Sequence, residues 1–287
     1  GGAAGGGGGA AALQRYVSGN PRGALLLLLR LLAAVCAAVY LFPLTSRRLS
    51  FRAFKYFAYL MAANCAAQIY QNQGRPRFDK MFMAQVMRDP AAGRLFFSLL
   101  LLTARPTVVA LVPLALVEFL LMGWELASVL PAVLPAAARA LGPLASRLMV
   151  ALTKKPDWAT LTTHQRWAVA QPRTAQLAAL GEVVYGILLL AELLTPRRSF
   201  LAAMLYWQFM QMRVMVEKMD AANGGTGPFP LQNAFGVADK KITGITQHRF
   251  CPALIGKLYG KVKAFLQNQT KLPAPGEQAQ RPKCTIM

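Results

Sequence analysis

Long apolar runs joined by short basic turns dominate the chain. The first run, residues 23–45, is long enough as a helix to cross a hydrocarbon core of about 30 Å, and Arg30 interrupts it. The second, residues 51–70, carries Asn64, Cys65 and Gln68, so one of its faces is polar and is expected to meet another helix. A tight turn with Arg47 and Arg48 makes the two a helical hairpin. Residues 95–130 are apolar for longer than one span needs and contain Pro106 and Pro113. Proline removes a backbone donor and clashes with the preceding turn, which predicts either a second hairpin or a kinked, re-entrant pair. Residues 175–194 and 200–216 flank Thr195-Pro196-Arg197-Arg198 and predict a third hairpin.

The segments between these runs collect positive charge. Residues 71–94 hold Arg75, Arg77, Lys80, Arg88 and Arg94 against Asp79 and Asp89, and residues 131–173 hold Arg139, Arg147, Lys154, Lys155, Arg166 and Arg173. Lys/Arg excess marks cytosolic loops, so both are expected on the cytosolic side with an even number of crossings between them. The basic turns Arg47-Arg48 and Arg197-Arg198 oppose this rule if every hairpin crosses fully. Full crossing and shallow, wedge-like insertion therefore both stand.

Four regions follow: a Gly/Ala leader over 1–22 expected to be without fold, membrane-embedded hairpins over 23–220, a linker over 221–250, and a basic tail over 251–287. The Gly-rich stretch 223–228 lacks the Lys-Ser/Thr ending and preceding strand of a phosphate loop. Residues 253–268 carry the clearest helical pattern. At about 100° per residue, Leu254, Ile255, Leu258, Tyr259, Val262, Phe265 and Leu266 share an arc of roughly 140°, while Lys257, Lys261 and Lys263 fall outside it. Such a helix either docks on its own protein or lies among lipid headgroups. The expected fold class is all-α, a polytopic membrane protein of helical hairpins with a C-terminal basic amphipathic helix.

Composition agrees with membrane residence: 55% of residues are hydrophobic, 15% are charged, and mean hydropathy is +0.36. The formal net charge of +21 must then lie outside the apolar runs, where anionic lipid headgroups are the default partner; nucleic acid or an acidic protein surface are rarer options that charge alone does not separate, and nucleic acid is not expected. From Lys240 to Lys283 nine basic residues face Glu277 alone. The last four residues, Cys284-Thr285-Ile286-Met287, form a C-a-a-X ending, which predicts farnesylation of Cys284 and a cytosolic C-terminus. Farnesylation there excludes glycosylation at Asn268-Gln269-Thr270, because no span fits between the two sites.

Chemistry is sparse. The histidines are His164 and His248, the cysteines Cys36, Cys65, Cys251 and Cys284 lack metal-like spacing, and neither an enzyme activity nor a metal or cofactor is expected. The ionisable residues inside apolar runs are Arg30, Arg105, Glu118, Glu125, Glu182, Glu192 and Arg213. Charges within spans can mark an ion path, which keeps a channel or transporter as the alternative function. Helix-gluing pairs, such as Arg30 with Glu118 or Glu182, account for them without transport. Arg213, near Tyr206-Trp207, is expected to be an interfacial anchor.

The residues Phe82, Ala84-Gln85, Asp89, Leu95, Ser98-Leu99, Pro106 and Pro113, followed by Tyr206, Phe209, Met212, Arg213 and Cys251-Pro252, resemble the transmembrane protein 33 family of the endoplasmic reticulum and nuclear envelope, which includes yeast pore-membrane and Krüppel-homologue proteins. The resemblance covers about residues 23–268. It implies a structural multispan protein that shapes these membranes, binds reticulon-type proteins, and supports nuclear pore complex distribution or assembly with nucleoporins. It also implies that the 254–266 helix binds membrane or an import receptor. The leader, the long basic tail and the C-a-a-X ending depart from the family pattern.

Overall fold

The computed structural model describes residues 7–77, 79–193, 195, 199–222, 224, 229–246, 256–257, 259–261 and 263–264. Every regular element among them is helical: α1 Gly7–Gly19, α2 Pro21–Leu41, α3 Arg47–Gln73, α4 Lys80–Arg88, α5 Pro90–Thr103, α6 Val108–Val133, α7 Pro135–Thr153, a 3₁₀ turn Pro156–Ala159, α8 Thr163–Glu192, α9 Phe200–Ala222 and α10 Pro230–Thr246. The fold is an all-α polytopic membrane type. Among the described residues three helices, α2, α6 and α8, are long and apolar enough to cross a membrane. Contacts divide the chain into two compact units, Gly1–Tyr206 and Trp207–Met287.

Local chemistry sets the boundaries. Asn20 caps α2 by accepting from Gly23 N at 2.9 Å, with Pro21 pre-set for the first turn. Ser46 caps α3, and Gly74 ends it at φ 78°, a left-handed backbone that suits a residue without Cβ. Asp89 terminates α4, and its carboxylate accepts from Ala91 N at 2.8 Å to start α5, so a single residue punctuates both. The backbone turns extended at Ala104 ahead of Arg105-Pro106, which separates α5 from α6. A capping box between Thr162 and Gln165 opens α8.

In the first unit α2 and α5 pack on α3, while α6 packs on α8. Phe54, Phe57, Met61, Phe97, Leu101 and Leu114 are fully buried in this interior. On α2 the buried residues Leu26, Leu27, Arg30, Ala33 and Ala37 recur at helical spacing, and Leu25, Leu28, Leu32 and Val35 face outward as a lipid-facing stripe would. Gly181 lets α8 approach α6: a Cβ there would meet Pro113 Cγ at 3.3 Å.

Several expectations need correction. The Gly/Ala leader is helical from Gly7, where glycine permits close approach; a Cβ at Gly9 would stand 2.5 Å from Val133 O. The basic segment 71–94 contains α4 and the first turn of α5, and 131–173 contains α7 and the start of α8. Lys80, Arg88, Arg94, Arg139, Arg147, Arg166 and Arg173 fall on these helices, with apolar residues between them that can pack, whereas Arg75, Arg77, Lys154 and Lys155 lie in the connections. Residues 95–130 resolve into two helices, yet these pack mainly on α3 and α8 instead of on each other. The linker 221–250 contains α10.

Candidate functional site: an ionic cluster between helices

Arg30 lies on the inward stripe of α2 and Glu118 faces it from α6. Arg30 Nε donates to Glu118 Oε2 at 2.9 Å, and Arg30 Nη1 donates to Glu125 Oε1 at 2.7 Å, one heptad farther along α6. The polar face predicted on the second apolar run meets the same carboxylate. Asn64 Nδ2 donates to Glu118 Oε2 at 2.7 Å, and Gln68 Nε2 lies 3.2 Å from both Glu118 oxygens. From α5, Arg94 Nε stands 3.0 Å from Glu118 Oε1 without hydrogen-bond alignment, while its Nη2 donates to Gln68 Oε1 at 2.8 Å.

Glu118 is fully buried and Arg30 nearly so, so their desolvation is large and only close pairing offsets it. Two arginines and two glutamates give the cluster zero formal charge. It ties α2, α3, α5 and α6 together through a group that has no alternative partner in hydrocarbon. Interhelical polar contacts of this kind hold membrane helices in register. A ligand-binding role would need coordination capacity to spare. Glu118 has none readily available, with four polar side chains within 3.2 Å.

Of the two partners given as examples for Arg30, the structure shows Glu118 and adds Glu125; Glu182 sits buried on α8. Arg94 had been placed with a cytosolic loop, and its position in the core is a correction. The signal was present: Arg94, Ser98 and Leu101 are spaced i, i+4, i+7, continuing the inward stripe of α5. Lys55 was also missed. Its Nζ donates to the carbonyls of Leu101, Leu102 and Ala104, capping the C-terminus of α5. Tyr206 in the last apolar run donates its hydroxyl to Glu182 O and packs edge-on against Phe97 and Tyr185. Arg213 stacks its guanidinium over Phe209, 5.6 Å from the ring centre. Among the described residues no three metal-ligating side chains gather.

In the tail, Leu254, Ile255, Leu258, Val262, Phe265, Leu266 and Cys284 lie outside the described residues, while Lys257, Tyr259, Lys261 and Lys263 are helical. Lys257 and Lys261 are exposed. Tyr259 Oη donates to Asp239 Oδ1 at 2.7 Å and Lys263 Nζ to Asp239 Oδ2 at 2.8 Å, so α10 provides one acceptor for both. Tyr259 and Lys263, four residues apart, thus share a face although one had been assigned to the apolar arc and the other outside it. The paired Lys263 holds the Asp239 carboxyl below its usual range, helped by Tyr259. Burial, then the bond to Asp239, pushes the Tyr259 phenol up to about 12, leaving it a proton donor at neutral pH.

No curated protein and no solved structure matches the chain. The model of the family described as Transmembrane protein 33/Nucleoporin POM33 matches residues 8–271, nearly the whole sequence, in keeping with the all-α membrane fold and the resemblance seen around Phe82 to Pro113. The chain therefore belongs to the Transmembrane protein 33/Nucleoporin POM33 family, membrane proteins of the endoplasmic reticulum and nuclear envelope linked to pore complexes.

Proposed function

We propose that this protein is a structural element of the endoplasmic reticulum and nuclear envelope, shaping the membrane and supporting nuclear pore complex distribution or assembly. The observation that supports this reading best is the saturation of Glu118 by Arg30, Arg94, Asn64 and Gln68. A carboxylate engaged on every side fixes helices in place, as a scaffold requires. An ion path needs a group that exchanges partners. The basic tail adds a surface contact: Lys257 and Lys261 meet anionic lipid, each worth on the order of 1 kcal/mol near the surface. A farnesyl group on Cys284 holds the tail to the cytosolic face, and reticulon-type proteins, nucleoporins or an import receptor are the protein partners. No catalytic role belongs to this reading.

Reconstitution of the full chain into liposomes tests it. The expected result is tubulation, or enrichment on highly curved vesicles, without solute flux. Selective conductance abolished by Glu118→Gln would replace the scaffold with a channel or transporter.

A further inference from the structure

Pro113 lies beside Gly181, and Trp124 packs on Trp167 with ring centres 4.9 Å apart, so α6 and α8 run antiparallel. The end of α6 and the start of α8 therefore share one side of the bundle, where α7 joins them. With 26 residues α6 is about 39 Å long, against about 30 Å of hydrocarbon and about 40–45 Å with headgroups included. Its last turn reaches the headgroup layer. Tryptophan concentrates at that boundary, and the Trp124–Trp167 pair sits toward this end of the two helices. Leu134 alone separates α6 from α7, so α7 starts in the headgroup layer too.

α7 has 19 residues but is not among the helices apolar enough to cross a membrane. Nor does it sink into the bundle: Thr153 is its single buried residue. Yet its exposed surface is sorted by polarity. Leu141, Leu144 and Leu148 are 51%, 65% and 69% exposed, and at about 100° per residue they share an arc of roughly 60°. Arg139 falls opposite this stripe and Arg147 about a quarter-turn from it, both exposed. α7 has no acidic residue, and over 131–173 six basic residues face Asp157 alone. Leucines exposed in a row are costly in water, while a leucine stripe backed by arginines is what an in-plane membrane helix carries.

We propose that α7 lies in the plane of the bilayer, with Leu141, Leu144 and Leu148 sunk to the acyl boundary and Arg139 and Arg147 among the phosphates of anionic lipids. The one-residue joint decides for lipid over a protein partner. It holds the stripe within reach of the acyl boundary, where lipid is present at a far higher effective concentration than any soluble partner. The arginines suit the same surface, since positive side chains are drawn to anionic headgroups. The segment 131–173 is then a membrane-surface element instead of a free loop. The inference needs α6 and α8 to span, and it holds whether or not the protein bends membranes.

The test uses the full-length protein in nanodiscs of phosphatidylcholine and phosphatidylglycerol, doped with a lipid that carries a diazirine near the carboxyl end of its acyl chain. Irradiation followed by peptide mass spectrometry should place lipid adducts on residues 141–148 as well as on α2, α6 and α8. A water-soluble maleimide supplies the second reading, followed site by site by mass spectrometry so that the native cysteines stay in place. It should react about tenfold more slowly with Leu148→Cys than with Arg139→Cys. Leu144→Gln with Leu148→Gln should raise reaction at Leu141→Cys about tenfold, with thermal unfolding unchanged because these exposed side chains take no part in the interior. Equal reaction at positions 139 and 148 in the folded variants, or lipid adducts confined to the spanning helices, overturns the inference. Protection of Leu148→Cys without adducts on α7 assigns the stripe to a protein surface, a second copy or the chain's own tail, and overturns the lipid assignment. Liposome tubulation is read separately, so the curvature reading stands or falls on its own.

Discussion

Arg30 Nε and Glu118 Oε2 stand 2.9 Å apart inside the protein, although 88 positions separate the two residues in sequence. Breaking that pair by Glu118→Leu leaves buried Arg30 and half-buried Arg94 without their shared carboxylate. The expected loss is about 3–5 kcal/mol of stability, measured by unfolding of the purified protein in detergent. Arg30→Met with Glu118→Leu and Glu125→Gln should recover part of it, because Arg30 is then no longer stranded and no carboxylate is left without it, with Arg94 alone unpaired. Equal or greater loss in the combined variant would show that packing, not the Arg30 charge pairing, sets the stability.

Lys55 offers its ammonium to three carbonyls at the end of α5. Lys55→Met keeps the apolar stem and removes the cap, for an expected cost of about 1–2 kcal/mol. Hydrogen exchange should quicken first in the last turn of α5.

A Cβ at Gly186 would sit 2.8 Å from Tyr206 Cε1. The Tyr206 ring has little room to move, since its hydroxyl donates to Glu182 O and its faces and edges meet Phe97 and Tyr185. Gly186→Val is expected to destabilise by roughly 1–3 kcal/mol through overpacking. Gly123, with nothing within 4 Å of its notional Cβ, is the matched control: Gly123→Ala should be neutral or stabilising by about 1 kcal/mol in thermal melts.

The Asp239 carboxyl has its pKa lowered from 3.8 in the folded chain, by Lys263 first and Tyr259 second. Its contribution is thus present above pH 3.8, the ordinary value, and is lost as pH falls through the lower folded value. Carboxyl-carbon NMR should place the Asp239 titration below that of a model peptide. Asp239→Asn should loosen the 256–264 segment at neutral pH, read as faster amide exchange.

For the tail helix, Leu258→Glu with Phe265→Glu puts two charges into the apolar arc. Each apolar side chain buried is worth roughly 1.5–3 kcal/mol, so a peptide spanning 247–270 should leave anionic liposomes after the double change more completely than after loss of any one lysine. Unchanged co-sedimentation would assign the interaction to charge alone.

The length and composition of the apolar runs by themselves determined the all-α membrane type, where those runs lie, and that the 95–130 stretch is more than one helix. The ionisable residues inside those runs suggested helix-gluing pairs, with Glu118 or Glu182 as examples for Arg30, and the second run showed the polar face of Asn64 and Gln68. These features are local: length, spacing and turn chemistry are written into adjacent residues. Only the tertiary structure paired Arg30 with Glu118 and Glu125, drew Arg94 out of a supposed loop onto Glu118, set Lys55 on the end of α5, and joined Tyr259 and Lys263 on Asp239. A periodic stripe says which face of a helix is buried but not which neighbour covers it. That choice depends on how side chains from distant segments fit together, and for buried charges it is enforced by the cost of leaving any one of them unpaired.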